Sequence, residues 1–250
     1  MSLNMLAVRI RKFSTALALV GIIAIAADPQ EASQGRFTTF RKLLQERHVQ
    51  LTEVSLLAAL QNPDPHIRYL AALVLAEDRS QDAVPAIANA LAVEKVPETR
   101  VNIALALAQL GDEKGLAALQ EDCGDPIIPA HLRMYAVKYL LDLHKDGCLS
   151  EAADVLRSAT DSASRILALS QLPRFRHLSA NDSDGITNAV CASLKDRDPS
   201  VRIAASHAIV ALGDVHAVPR LRAAAAAEPE EAVRLIMHAD LQRLGQKDTH

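Results

Sequence analysis

The sequence predicts an all-α protein, a solenoid in which about six helical hairpins stack side by side. Arginines recur at intervals of 32, 33, 32, 37 and 32 residues, each followed by small and apolar residues. A fixed period of this length is typical of stacked units that cannot bury their apolar faces alone. Half of the residues are hydrophobic but only 3% are aromatic, which favours closely packed helices over a sheet. The repeat arginines are Arg68, Arg100, Arg133, Arg165, Arg202 and Arg234.

The N-terminus has the pattern of an export signal. Three basic residues precede an uncharged apolar run, Phe13 to Ala27, which contains an A-x-A cleavage site at residues 24–26. We therefore expect residues 1–26 to be a signal peptide and the protein to be periplasmic or extracellular. The alternatives are an uncleaved membrane anchor through residues 13–27, although the run is shorter than the ~20 residues of a typical span, and a buried first helix.

The rest of the chain divides into a linker, a cap, the repeat array and a tail. A polar linker at residues 27–35 leads to a capping helix at residues 36–49, which has an apolar stripe at helical spacing. The hairpins occupy residues 50–245, and residues 246–250 form a polar tail. Each hairpin has a first helix, A, then a turn with Pro or an acidic residue, then a second helix, B, which carries the repeat arginine.

Two features of the hairpins lead to specific expectations. Pro173 interrupts helix B of the fourth hairpin, and the long interval that follows predicts an insertion at residues 178–185 before helix A resumes near Ile186. The three cysteines are expected to remain unpaired. Cys123 ends one helix and Cys148 follows the next antiparallel helix, about 22 Å long, whereas a disulfide needs Cα atoms within about 7 Å.

The repeated strings resemble HEAT repeats, in the short variant also seen in phycobilisome-lyase-type proteins. The clearest copy is RIAASHAIVALGDVHAVPRLRAA, residues 202–224, and the resemblance covers residues 50–245. It implies an armadillo-like superhelix with helix B toward the concave side. It also implies that the arginines form a structural ladder with acids in the A–B turns of neighbouring hairpins, rather than a ligand site. The candidate turn acids are Asp64, Asp125, Asp196 and Asp198.

A partner-binding stripe is predicted at the helix-B positions that vary between hairpins. These lie 2, 5, 6 and 9 residues after each repeat arginine, and their helical spacing places them on one exposed face. A tyrosine cluster in the middle of this stripe suits a contact with another protein. The candidate residues are Asn102, Gln109, Tyr135, Lys138, Tyr139, Asp142, Gln171 and His207, with Asp240 at the equivalent place in the last hairpin.

The sequence argues against catalysis and against nucleic-acid binding. Deoxyhypusine hydroxylase is an iron enzyme built on HEAT-like repeats with paired His-Glu motifs, and no His-Glu dipeptide occurs here. The net charge of −3 gives no basic surface for a phosphate backbone. We expect no cofactor and no metal. The predicted function is a non-enzymatic scaffold that docks another protein in its concave groove; the alternative is an accessory or lyase-type subunit, as in bilin lyase-like HEAT proteins.

Overall fold

The structure, a computed structural model, describes residues 39–175 and 179–247. The chain divides into a unit of Met1–Arg36 and a unit of Phe37–His250, and all described residues belong to the second. The predicted signal or anchor and the linker therefore lie outside the described residues, as do residues 36–38 of the predicted cap and residues 248–250 of the tail. No helix within the described ranges is long and apolar enough to cross a membrane.

The described chain is helical throughout, with three short 3-10 segments at Gln81–Ala83, Leu172–Arg174 and Val215–Ala217. Helix α1 covers residues 39–46 of the predicted cap. Six A–B pairs follow, so that even-numbered helices are A and odd-numbered helices are B. Their bounds are α2 Glu53–Ala59, α3 Pro65–Glu77, α4 Val84–Val93, α5 Pro97–Gln109, α6 Glu113–Gly124, α7 Ala130–Asp142, α8 Leu149–Ser158, α9 Ser162–Gln171, α10 Ala180–Ser193, α11 Pro199–Leu212, α12 Val218–Ala227 and α13 Glu231–Lys247.

Local sequence sets where the B helices begin. Asp64 precedes α3, and its side chain accepts a hydrogen bond from the backbone N–H of His66 while Pro65 occupies the first helical position. Asp198 caps α11 in the same way, followed by Pro199. A side-chain acceptor satisfies one of the unpaired N–H groups at a helix start, and proline needs no N–H partner there. The Asp-Pro pairs therefore fix the A–B turns of the first and fifth pairs.

The core is a continuous layer of alanine and leucine between the A and B helices. Residues seven positions after the repeat arginines are at most 1% exposed in five pairs, and Leu241 of the sixth is half-buried. Successive B helices pack directly on one another, whereas the main contacts between neighbouring A helices are limited to α6–α8 and α8–α10. Because a curved double layer is more closely spaced on its concave side, the B helices form the concave layer.

Three expectations about helix limits and cysteines are wrong. The expected insertion at residues 178–185 is mostly helical, because Ser179 caps α10 and the helix starts at Ala180. Helix α13 continues to Lys247, two residues into the predicted polar tail. Finally, Cys123 and Cys148 form a disulfide with Cα atoms 6.3 Å apart.

The disulfide forms because α7 is not followed directly by α8. Helix α7 ends at Asp142, and the connection before Leu149 folds back along α6, so that a Cβ atom added at Gly147 would lie 3.9 Å from the Leu140 side chain and 4.0 Å from that of Gln120. Six residues of extended chain span up to about 20 Å, enough to return to the far end of α6. Cys191 remains free and is buried in α10.

Candidate functional site

The candidate site lies on the exposed face of α7, in the third pair. Tyr135, Lys138, Tyr139 and Asp142 are spaced by three or four residues, so they project from one side of the helix. The buried side of α7 packs into the core through residues that include Met134 and Leu140. We call Tyr135, Lys138, Tyr139 and Asp142 the α7 patch.

The side chains of the α7 patch contact one another. The rings of Tyr135 and Tyr139 stack with centroids 6.2 Å apart and planes inclined by 26°. The Lys138 ammonium lies 5.5 Å from the centroid of the Tyr139 ring and donates a hydrogen bond to Asp142. Ring stacking and the cation above a ring each add to the order of such a surface. Tyr135 remains 41% exposed, so an aromatic face is open to a partner.

Neighbouring pairs brace the patch from both sides. The Tyr139 hydroxyl donates to Asn102 Oδ1 of α5 at 3.0 Å, and Asn102 donates in turn to the carbonyl oxygen of Glu98. On the other side, Arg174 Nη2 donates to Asp142 Oδ1 at 2.6 Å. Burial alone would raise the pKa of Asp142, but the hydrogen bonds from Lys138 and Arg174 hold that pKa below its ordinary value. Asp142 is therefore a carboxylate at neutral pH, linking two cations.

The structure gathers some predicted stripe residues and separates others. Asn102 and the α7 patch are adjacent, and Gln171 supports them from beneath by accepting a hydrogen bond from Arg174 at 2.6 Å. Gln109 is exposed at the end of α5, and His207 is exposed on α11, 3.7 Å from Asp240. Gln109 belongs to the second pair and His207 to the fifth, whereas the α7 patch belongs to the third.

Gln171 and Asp240 correct the expectation that the stripe is exposed at every position. Gln171 is 5% exposed, and Asp240 is fully buried, where it accepts a hydrogen bond from Ser206 at 2.7 Å. Both lie six residues after a repeat arginine. That position faces the preceding B helix and is buried in every pair except at Tyr139, which is half-buried.

Arg174 is a site residue that the sequence pattern did not predict. It lies nine residues after Arg165, as Asp142 lies nine after Arg133, so it occupies a stripe position. Pro173 precedes Arg174, and the sequence predicts that this proline interrupts helix B of the fourth hairpin. The 3-10 turn at Leu172–Arg174 instead continues the direction of α9 far enough for Arg174 to reach α7.

The repeat arginines connect consecutive pairs. Arg68 donates from Nε and Nη2 to the two carboxylate oxygens of Glu94, at 2.7 and 2.9 Å, and from Nη1 to the carbonyl oxygen of Asn62 at 2.8 Å. Burial alone would raise the pKa of Glu94, but the Arg68 hydrogen bonds and the N–H of Val96 hold it low. A bidentate pair of this kind fixes geometry as well as charge.

Four of the six arginines reach an acid in the following pair, and we call each such contact a rung. The rungs are Arg68 with Glu94, Arg100 with Asp122 and Glu121, Arg165 with Asp196, and Arg202 with Glu228 and Glu230. Of the turn acids predicted as partners, only Asp196 belongs to a rung. Asp64, Asp125 and Asp198 accept backbone N–H groups of their own turns instead.

Three of the four rungs use an acid at the same sequence position, whereas the acids that pair with Arg100 lie within α6. Glu94, Asp196 and Glu228 each lie six residues before a repeat arginine, where the A–B turn approaches the preceding pair. Buried charges need partners, which explains why the residues here are acidic and the residues facing them are arginines. These contacts define an α-solenoid whose arginines connect its repeats to one another.

The chain is a HEAT-repeat protein. A family model described as HEAT repeats matches residues 53–128, and a second, described as HEAT repeat, matches residues 186–216. None of the curated proteins compared with the chain matches it.

Among solved structures, two similar chains are distant in sequence. Human deoxyhypusine hydroxylase in complex with glycerol is 16% identical, with a TM-score of 0.38, over 88% of this chain and 92% of that one. An engineered protein is 17% identical, with a TM-score of 0.45, over 78% of this chain and 96% of that one. These similarities are too distant to transfer an activity. Within residues 39–175 and 179–247, no group of three His, Cys, Asp or Glu side chains could hold a metal ion.

Proposed function

We propose that the protein is a non-enzymatic scaffold that docks a helix or an extended segment of another protein against the α7 patch. HEAT repeats in general mediate protein interactions. The observation that carries the proposal is Tyr135, an aromatic ring 41% exposed on the concave layer and stacked on an anchored neighbour. Tyrosines of this kind supply large contact areas at binding sites, and a preformed surface loses little entropy on binding.

The patch is chemically suited to a partner with both apolar and polar groups. Tyr135 offers an apolar face, while Lys138 and Arg174 hold Asp142 between them. A partner carboxylate would compete with Asp142 for these cations. A partner ammonium or guanidinium group would add to the network beside Asp142. The charges therefore set orientation, while the rings supply most of the contact area.

A photo-crosslinking experiment tests this assignment. A crosslinking amino acid is placed at position 135 in one protein and at position 127 in another, because Ile127 is also exposed, at 87%, but lies in the turn before α7 and outside the α7 patch. We expect position 135 to capture a defined partner that position 127 does not, and Lys138→Ala to reduce the yield severalfold. Equal capture from both positions, with no effect of Lys138→Ala, contradicts the proposal.

Export is a further part of the proposal. The basic and apolar pattern of residues 1–26 supports it, and so does the Cys123–Cys148 disulfide, since disulfides persist in oxidising compartments. N-terminal sequencing of the native protein tests it. A start at Ala27 supports cleavage, a start at residue 1 in a membrane fraction supports an anchor, and an unprocessed soluble protein contradicts export.

The alternative, an accessory or lyase-type subunit, has its own test. A bilin or other chromophore that copurifies with the native protein, in stoichiometric amount, would support it. No contact among the described residues favours this role over docking.

A further inference from the structure

The junction between the third and fourth pairs lacks the rung that its sequence position should supply. Arg133 donates from Nε to the carbonyl oxygen of Cys123 at 2.8 Å, and it has no carboxylate partner in the part of the chain that the structure describes. Ala159 stands six residues before Arg165, at the position of the rung acids Glu94 and Glu228. The gap is therefore a missing carboxylate.

The backbone at Ala159 is already shaped for that carboxylate. Ala159 has φ −64° and ψ 133°, against −70° and 128° for Glu94 and −69° and 119° for Glu228. Its carbonyl oxygen accepts a hydrogen bond from Arg165 Nη1 at 2.8 Å, as the carbonyl of Glu228 accepts one from Arg234. The backbone of the rung position is therefore present at Ala159, and its acidic side chain is absent.

The disulfide crosses the same junction. Cys123 lies in the last turn of α6 in the third pair, and Cys148 caps α8 in the fourth. Arg133 binds the carbonyl oxygen of Cys123 itself, so the arginine without a rung is attached to the disulfide residue. The covalent bond thus connects the two pairs that no rung connects.

The loop closed by the disulfide contains all of α7 and therefore the whole α7 patch. We propose that the Cys123–Cys148 disulfide replaces the missing rung and acts as a redox-controlled lock on α7, so that its reduction loosens the patch. The consequence for partner docking rests on the function proposed above. The loosening of α7 is independent of it.

The chemistry is an exchange with a dithiol. Cys123 is 1% exposed, whereas Cys148 is half-buried and lines an open groove of about 480 Å³ next to Leu149 and Phe175. A thiolate of the dithiol attacks the Cys148 sulfur, which forms a mixed disulfide and releases Cys123 as a thiolate. The second thiol then displaces Cys148. In total, the S–S bond gains two electrons and two protons, and the dithiol becomes a disulfide.

Amide hydrogen exchange of the full chain tests the lock without any partner. The oxidised protein is compared with protein reduced by dithiothreitol, and peptides of α7 and α8 are followed with α3 as the internal reference. We expect exchange in α7 and α8 to accelerate at least tenfold on reduction while α3 is unchanged. The same rates in both states overturn the proposal.

Three variants separate the lock from general effects of reduction. Cys191→Ser removes the free thiol and should leave the response unchanged. Cys148→Ser should give the fast exchange without reductant. Ala159→Glu supplies the missing carboxylate to Arg133, and the reduced variant should exchange in α7 at close to the oxidised rate. A reduced Ala159→Glu protein that exchanges as fast as reduced wild type overturns the equivalence of disulfide and rung.

The crosslink from position 135 distinguishes this inference from the proposed function. Redox-dependent exchange together with a crosslink that weakens on reduction supports both. Redox-dependent exchange with no specific crosslink in either state leaves the lock standing and refutes docking at the patch. A specific crosslink together with exchange rates that do not depend on the redox state supports docking at the patch and refutes the lock.

Discussion

Arg202 on α11 donates from Nε and Nη2 to the two carboxylate oxygens of Glu228, at 2.8 and 2.7 Å. The Arg202 side chain is 9% exposed and that of Glu228 is 3% exposed, so this rung is among the most buried in the described array. The hydrogen bonds from Arg202 lower the pKa of Glu228 and outweigh the opposing effect of burial. Both charges are thus satisfied only because the fifth and sixth pairs are stacked.

We predict that Arg202→Ala lowers the free energy of unfolding by about 3 kcal/mol, because it leaves a buried carboxylate without its cation. Arg234→Ala is the matched control. Arg234 donates to the carbonyl oxygen of Glu228 and belongs to no rung among the described residues, so its loss should cost about 1 kcal/mol. Urea denaturation followed by circular dichroism measures both. Equal losses would contradict a special role for the rung.

The arginine register predicts the B helices better than any other feature of the sequence. Helix α3, which carries Arg68, begins at Pro65 directly after the capping Asp64, where the Asp-Pro turn and the apolar run of the sequence agree. Helix α10 was predicted too short, because the letters ANDSDG favour turns. The signal that outweighs them is Ser179, whose hydroxyl accepts from the N–H of Asp182 and donates to its carboxylate.

The site is less predictable because it depends on contacts between pairs. Sequence spacing brings Tyr135 and Tyr139 together, since both lie on one helix. It does not indicate that Arg174 reaches Asp142, because that contact depends on the path of the chain after Pro173. The disulfide could not be predicted for a related reason. It depends on residues 143–148 returning along α6, and a loop of this kind has no periodic sequence pattern that would indicate its path.

Ser179 gives a prediction about α10. Its side chain caps the helix, so Ser179→Ala should lower stability by about 1 kcal/mol, typical of a lost cap. Ser183→Ala, an exposed position inside the same helix, should be neutral or slightly stabilising, because alanine has the higher helix propensity. Thermal unfolding of the two variants makes the comparison. A cap variant that melts at the wild-type temperature would exclude the role of Ser179.

Gly115 marks the closest approach of α5 and α6. A Cβ atom at this residue would lie 2.3 Å from the backbone nitrogen of Ala108 and 2.6 Å from the carbonyl oxygen of Ala104. Backbone atoms cannot move aside as a side chain can, so Gly115→Ala should destabilise the protein by about 3 kcal/mol. Gly185→Ala in α10 meets nothing within 4 Å and should instead stabilise it by about 0.5–1 kcal/mol. In urea denaturation, we expect Gly115→Ala to lower the free energy of unfolding and Gly185→Ala to raise it.

Glu77 makes stability depend on pH near neutrality. Its side chain is 8% exposed on α3, and neither carboxylate oxygen has a hydrogen-bond partner among the described residues. Burial raises the pKa of Glu77 to about 7. The charge of Arg41, whose Nε lies 3.6 Å from Glu77 Oε2, opposes this rise, and the charge of Asp78 adds to it. The folded protein therefore holds this proton more tightly than the unfolded chain, in which the pKa is about 4.5.

This difference fixes the direction of the pH effect. As the pH rises from about 4.5 to about 7, the unfolded chain is ionised while folded Glu77 stays protonated, so stability falls; above pH 7 the loss is constant. We predict that unfolding requires about 2 kcal/mol less at pH 8 than at pH 5 on account of this residue. Glu77→Gln should remove that difference and be the more stable protein at pH 8. Glu46→Gln, an exposed control on α1, should keep the wild-type pH profile. If Glu77→Gln also shows the wild-type dependence of stability on pH, then Glu77 is already ionised in the folded state. In that case Arg41, rather than burial, controls its charge.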